Sequence, residues 1–116
     1  MSEALLRRLY DFIDSGKWDE VGASFRPDGV YERSGFPPLT GAERIVRFYR
    51  HERGIARSRH TIEGVLVGDG QGAVWGHMEG ALDSGHPISL VFADAFELDG
   101  DAIRHRRSHF YQAPPA

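Results

Sequence analysis

Asp94 stands inside the apolar run Ile88-Ser89-Leu90-Val91-Phe92-Ala93-Asp94-Ala95-Phe96, where a segment that only built a core would carry no carboxylate. On the buried face of a strand, loss of hydration favours the neutral acid, the form from which a carboxyl group donates a proton near neutrality. Period-two alternation sets Leu90, Phe92 and Phe96 on the same face, so one proton carrier would lie between aliphatic and aromatic walls. That surrounding suits a small, mostly apolar ligand. The competing reading puts Asp94 on the open face of its strand, paired with an arginine of the next one.

Further groups with chemistry lie in other strand-like segments. In Trp75-Gly76-His77-Met78-Glu79, alternate residues share a face with Cα atoms about 6.6 Å apart, so Trp75 could line a ligand while His77 and Glu79 meet it, the imidazole as proton shuttle. The alternative turns that face outward and leaves Gly76, Met78 and Gly80 toward the helices. His60 follows Arg57-Ser58-Arg59 at the start of a strand, either as a catalytic imidazole or bonded to a neighbouring carbonyl. Tyr31 and Arg33 share a strand face and offer a phenol donor and a cation to an oxyanion, while Glu32 points the other way unless a bulge reverses the register. His105 and His109 are roughly 13 Å apart along a strand, too far to hold one ion. With no cysteine, no paired-histidine helix motif, no phosphate loop and no dinucleotide glycine fingerprint, neither metal nor cofactor is expected.

Composition narrows the partners. The 116 residues make about one domain, expected over 1–112, with 113–116 as a frayed tail. Net charge is −3, with 14 basic against 17 acidic residues, which disfavours nucleic acid and anionic membranes. The one basic cluster, Arg104-His105-Arg106-Arg107, alternates between strand faces and is expected to be mostly solvated. Absence of cysteine and of a basic-then-apolar leader points to the cytoplasm, and no apolar stretch approaches the roughly 18 residues that cross a bilayer.

The elements that must position these groups follow from spacing. Leu5, Leu6, Leu9, Phe12 and Ile13 recur at helical intervals over Ser2 to Ser15, with Gly16 as stop. Trp18, Val21 and Phe25 suggest a short second helix ended by Pro27. Val30 to Arg33 reads as a strand. Thr40-Gly41-Ala42-Glu43 has the pattern of a capping box, opening a third helix through Ile45, Phe48 and Tyr49 to Gly54. From His60 onward four strands, His60–Val67, Ala73–Leu82, Ile88–Leu98 and Ile103–Tyr111, alternate with Gly, Asp and Pro turns. Three helices followed by hairpin-linked strands make an α+β fold in which helices cover one face of a curved antiparallel sheet.

This order of elements, with Gly16-Lys17-Trp18-Asp19, Phe25-Arg26-Pro27-Asp28-Gly29-Val30-Tyr31, Leu39-Thr40-Gly41-Ala42-Glu43-Arg44-Ile45 and Asp94-Ala95-Phe96-Glu97-Leu98-Asp99-Gly100, resembles the nuclear transport factor 2-like superfamily. Within it the likeness is to ketosteroid isomerase and the SnoaL-like polyketide cyclases. The resemblance implies a cone, a bent sheet wrapped around the long N-terminal helix, whose pocket serves isomerisation, cyclisation, dehydration, epoxide opening or simple binding. In ketosteroid isomerase a neutral aspartic acid and a tyrosine hold an oxyanion while a second aspartate moves the proton. Asp94 matches the first, the tyrosine position falls on Leu9 with Tyr10 one residue off, and the base position falls on Arg33.

The expected function is therefore cofactor-independent acid/base chemistry on a small, mostly apolar ligand, as an isomerase, cyclase or related lyase or hydrolase. Asp94, Tyr31, His60 and His77 are the catalytic candidates, with Phe92, Phe96, Trp75, Leu9 and Phe12 lining the pocket. By analogy the outer face of the sheet forms a homodimer. The alternative is a non-catalytic ligand-binding or dimerisation module whose cone is filled by Phe92, Phe96 and their neighbours.

Overall fold

The computed structural model describes residues 2–112, so the expected tail at 113–116 lies outside the described residues. Helix α1 (Ser2–Asp14) buries Leu5, Leu6, Leu9, Tyr10 and Ile13 along one stripe, the wide apolar face that a helix turns to a core. Gly16 follows at φ +68°, the left-handed conformation that closes a helix at low steric cost. Helix α2 (Trp18–Ala23) stops sooner than its apolar spacing suggests, because Phe25 already opens strand β1 (Phe25–Arg33) and pairs with Ile103.

Strand β2 (Leu39–Thr40) pairs antiparallel with β1, Val30 facing Thr40. This pairing overturns the capping box. Thr40 is a strand residue, and Gly41, at φ +97° and with its N–H donated to the Gly29 carbonyl at 2.7 Å, precedes helix α3 (Ala42–Arg47) with no side-chain cap. Helix α3 then widens into a π-helical turn, Phe48–Glu52, and Gly54 at φ +74° ends it. Such turns carry one extra residue per turn and are frequent where function requires side chains to be re-aimed.

Strands β3 (Ile55–Gly68), β4 (Gln71–Leu82), β5 (Pro87–Asp99) and β6 (Ala102–Phe110) follow as antiparallel hairpins, and the six strands lie in the order β2-β1-β6-β5-β4-β3. The sheet is curved and unclosed. It departs from a purely antiparallel arrangement at one junction, where β1 runs parallel to β6; helix α3 and the four strands between them in sequence supply the long return that parallel neighbours need. The Asp69-Gly70 turn of the β3–β4 hairpin has φ of 53° and 73°, the paired positive angles of a type I′ turn.

Bulges interrupt the alternation, one of them at Ala56 early in β3, between the Ile55–Leu82 and Arg57–Ala81 pairs. Glu63 is extra in β3, between the Ile62–Gly76 and Gly64–Trp75 pairs, and Arg104 is extra in β6, between Leu98–Ile103 and Glu97–His105. The core runs from α1 through Phe25, Ile45 and Phe48 to Val74, Phe92, Phe96, Leu98 and Ile103. Truncating one of its buried leucines, such as Leu6, to alanine would cost about 2–5 kcal/mol. Among the described residues no helix is long and apolar enough to cross a membrane.

Candidate functional site

Strand β5 alternates without a break, and Leu90, Phe92, Asp94, Phe96 and Leu98 are buried while the residues between them are exposed. Asp94 is thus driven inside by its neighbours, with 2% of its surface exposed. A carboxylate so placed needs donors, and three converge on its Oδ2. The Tyr10 hydroxyl donates at 2.5 Å, Arg106 Nη2 at 2.9 Å and Arg106 Nε at 3.1 Å. The other oxygen, Oδ1, is buried and has no hydrogen-bond partner among the described residues. Both readings of Asp94 therefore meet in one residue, since it faces inward and also pairs with an arginine of the next strand.

Arg106 corrects the expectation that the basic cluster is solvated: 3% of its surface is exposed. The cause is the bulge at Arg104. Strict alternation from the buried Ile103 would turn Arg106 outward, but one extra residue shifts the phase, so Arg106 faces Phe96 and Ser108 faces Asp94 across the ladder. Tyr10 shows a similar one-residue difference in α1. The tyrosine position expected at Leu9 is held by Tyr10, whose hydroxyl reaches Asp94, whereas Leu9 is fully buried in the core.

Aromatic rings surround the ion pair. The Arg106 guanidinium carbon lies 4.4 Å from the centre of the Tyr31 ring and 5.4 Å from that of Tyr10, and Arg106 Nη1 donates to the Tyr49 hydroxyl at 2.8 Å. Tyr31 stacks on Tyr49 with ring planes 3° apart, and its hydroxyl shares a 3.1 Å hydrogen bond with Ser108. Burial first, and then the negative charge of Asp94, pushes the Tyr10 phenol well above its ordinary value, and burial also raises Tyr31. Both stay protonated, and Tyr10 donates its O–H to Asp94.

One cavity collects these groups: Asp94, Arg106, Tyr31, Tyr49 and His60 share it with Arg33 and Arg53 and with the apolar walls Ile55, Met78, Leu90, Phe92 and Phe110. It measures about 520 Å³ including its open mouth, and its interior is slender. The π-helical turn accounts for one side of it, since Phe48, Tyr49 and the following Arg53 all reach the cavity. Arg33 lies between the rings of Phe36 and Phe48, 4.1 and 4.2 Å from their centres.

His60 enters the cavity held by a partner that sequence spacing did not single out. Asp14, the last residue of α1, accepts from the His60 backbone N–H at 2.7 Å and from Ser58 Oγ at 2.9 Å, and its Oδ1 lies 2.6 Å from His60 Nδ1. The imidazole packs against Tyr10 and Phe92 with ring centres 5.1 and 5.5 Å away. An Nδ1 bound to a carboxylate fixes ring and tautomer and leaves Nε2 for a reacting group. Burial alone would raise Asp14, but the His60 and Ser58 hydrogen bonds outweigh it and hold the carboxyl below its ordinary 3.8.

Five candidates lie elsewhere. In β4 the residues facing inward are Val74, Gly76 and Met78, which turns Trp75 and His77 to the outer face of the sheet. There His77 Nδ1 lies 3.2 Å from Glu63, and the Trp75 indole covers Gly64, where an added Cβ would lie 2.1 Å from it. Leu9, Phe12 and Phe96 pack in or against the core and do not line the cavity. Among the described residues no group of three or more His, Asp or Glu side chains is placed to hold a metal ion.

A helix-backed, half-open cone with a buried acid–arginine pair in its hollow defines the class. The SnoaL-like domain model matches residues 6–106. The chain belongs to the SnoaL-like family. No curated protein matches it in sequence. Solved structures share its fold: an NTF2-like protein from Burkholderia pseudomallei is 17% identical with a TM-score of 0.85, over 94% of this chain and 89% of its own. An LEH-like epoxide hydrolase from M. tuberculosis is 19% identical with a TM-score of 0.82, over 92% and 80%. A protein described as a SnoaL-like polyketide cyclase, from Jannaschia sp. CCS1, is 19% identical with a TM-score of 0.82, over 95% and 85%.

Proposed function

We propose that this chain is a cofactor-independent acid/base enzyme, an isomerase, cyclase or related lyase or hydrolase, in which Asp94 removes a proton from a substrate or a water held in the cavity. The carrying observation is the division of labour at its carboxylate. Oδ2 is saturated by three donors, two of them from a cation, while Oδ1 is left buried and unpaired beside the cavity. Oδ2 is committed to its donors and Oδ1 is an acceptor without a partner among the described residues, so the geometry of Asp94 suits the base role better than that of a donor.

The negative charge that develops on the substrate needs a stabiliser, and Arg106 with the phenols of Tyr31 and Tyr49 forms the cationic and O–H-donating side of the same space. His60, oriented by Asp14, is the second proton carrier. The epoxide hydrolase and polyketide cyclase descriptions of structural relatives are in keeping with such chemistry. The exposed Trp75 and Val91 of the outer face support a homodimer as part of this reading.

The test is turnover of small enones, epoxides and linear polyketide fragments by the wild type and by Asp94→Asn, followed by mass spectrometry. A reaction that slows about 10²–10⁴-fold in a folded Asp94→Asn variant supports the reading. Ligands that bind without being turned over would sink it in favour of the non-catalytic module, to which the slenderness of the cavity is suited.

A further inference from the structure

Arg53 is a buried cation in the cavity wall whose acid partner is missing among the described residues. It follows the π-helical turn, is 9% exposed and borders the cavity opposite β4. Its guanidinium meets the Met78 sulfur, with Nη2 3.7 Å from Sδ, and the face of the Tyr49 ring 5.2 Å from its centre. Neither group is an anion. Among the described residues no carboxylate forms an ion pair with it. Its neighbour Glu52 is engaged with Arg44 at 2.8 Å and Arg47 at 3.6 Å, and the cavity's own acid, Asp94, is bound to Arg106.

A guanidinium withdrawn from water without a counter-charge is costly, and proteins pair buried charges or use them. A thioether and an aromatic face soften that cost without neutralising the charge. Repulsion has a second sign here: burial, with the charges of Arg53 and Arg106 adding to it, pulls Arg33 below the ordinary guanidinium value.

We infer that the cavity takes a small monocarboxylate with an apolar body, its carboxylate paired with Arg53 and its body lying against Leu90, Phe92 and Phe110. This inference rests on the acid/base reading of the same cavity and names its substrate class. A buried guanidinium with no ion-paired carboxylate calls for an anion, and a planar carboxylate matches its flat fork in two parallel hydrogen bonds. A dianionic phosphate fits less well, because Asp94 stands in the same space and repels it. The apolar walls and the narrow section favour a flat, unsaturated body. Anchored at Arg53, such a molecule presents its carbon skeleton to Asp94 Oδ1.

Matched acid and ester pairs test this directly. Titrations of trans-cinnamate against methyl cinnamate, and of 2-hexenoate against its methyl ester, are followed by ligand-observed NMR with the wild type. The acids are expected to bind at least about tenfold more tightly than their esters. In Arg53→Gln that preference disappears, and in Arg53→Lys it is partly restored. Esters that bind as well as the acids, or acids that fail to bind below roughly 10 mM, overturn the inference without any variant. An acid preference that survives in folded Arg53→Gln overturns the role of Arg53. Acids bound but never turned over would refute the catalytic reading and keep this one, whereas neutral esters turned over with no acid preference would do the reverse.

Discussion

Arg106 gives two of its nitrogens, Nε and Nη2, to a single oxygen of Asp94, at 3.1 and 2.9 Å. The more familiar arrangement spreads two parallel bonds over both carboxylate oxygens. Concentrating them on Oδ2 leaves Oδ1, buried in the cavity wall, as an acceptor without a partner among the described residues. Both residues are buried, so their mutual dependence is measurable.

Arg106→Met strands a buried carboxylate and is expected to destabilise the fold by about 3–5 kcal/mol, while Asp94→Leu/Arg106→Met, which removes both charges, costs less than the sum of the two single changes. Urea unfolding of the four proteins gives the coupling. Additive losses would show that the pair contributes no mutual stabilisation.

Tyr10 and Tyr31 offer an internal comparison. Tyr10 donates to a carboxylate and Tyr31 shares a bond with a serine hydroxyl. Tyr10→Phe should therefore cost about 1.5–3 kcal/mol and Tyr31→Phe about 0.5–1.5. Equal losses in chemical denaturation would mean that the charge of Asp94 is not felt at Tyr10.

The same two phenols set an alkaline limit. Each is raised in the folded state above the ordinary 10.0, so each contributes stability that is fully present below pH 10.0 and is lost as pH rises toward the folded-state value. Unfolding midpoints should fall above about pH 10, and the fall should be shallower in Tyr10→Phe. A flat profile, or ionisation of all four tyrosines by ultraviolet titration before unfolding, would contradict the burial of these hydroxyls.

Asp14 acts in the opposite direction. Its carboxyl lies below 3.8 in the fold, so its contribution is present above pH 3.8 and is lost as pH falls through the folded-state value. Asp14→Asn should flatten the acid limb of the stability profile. If His60 moves protons in catalysis, the same variant lowers kcat more than it raises KM, because the imidazole keeps its place in the wall but loses its oriented tautomer. An unchanged kcat in the folded variant would remove Asp14 as a positioning residue.

Much of the architecture was legible because it rests on periodicity. The stripe of α1, the alternation of β5 and the Asp69-Gly70 hairpin are local patterns, and the alternation puts Asp94 and Phe92 on one face, which the structure turns to the cavity. Arg106, Tyr10, Asp14 and Arg53 were not legible in this way, and each for a physical reason. Arg106 lies beyond a bulge that shifts the phase of its strand. Tyr10 differs by one position from a match counted along a helix, where one residue turns the side chain by about 100°. Asp14 is joined to His60 across 46 residues of sequence. Arg53 is aimed by a π-helical turn, which apolar spacing does not reveal. The inward reading of Asp94 stood out because an acid interrupts an apolar alternation; an arginine within a basic cluster interrupts nothing.

The extra residue in β6 bears on how this chain is compared with others. A homologue that lacked Arg104 would need no bulge and would still turn its counterparts of Arg106 and Ser108 toward the hollow. Gain or loss of one residue at that corner is therefore silent in space, yet it displaces every following position of an alignment by one. The buried arginine will be recognised among relatives only when a gap is allowed between Ile103 and Arg106, and an alignment without one will set it against a residue that points to water.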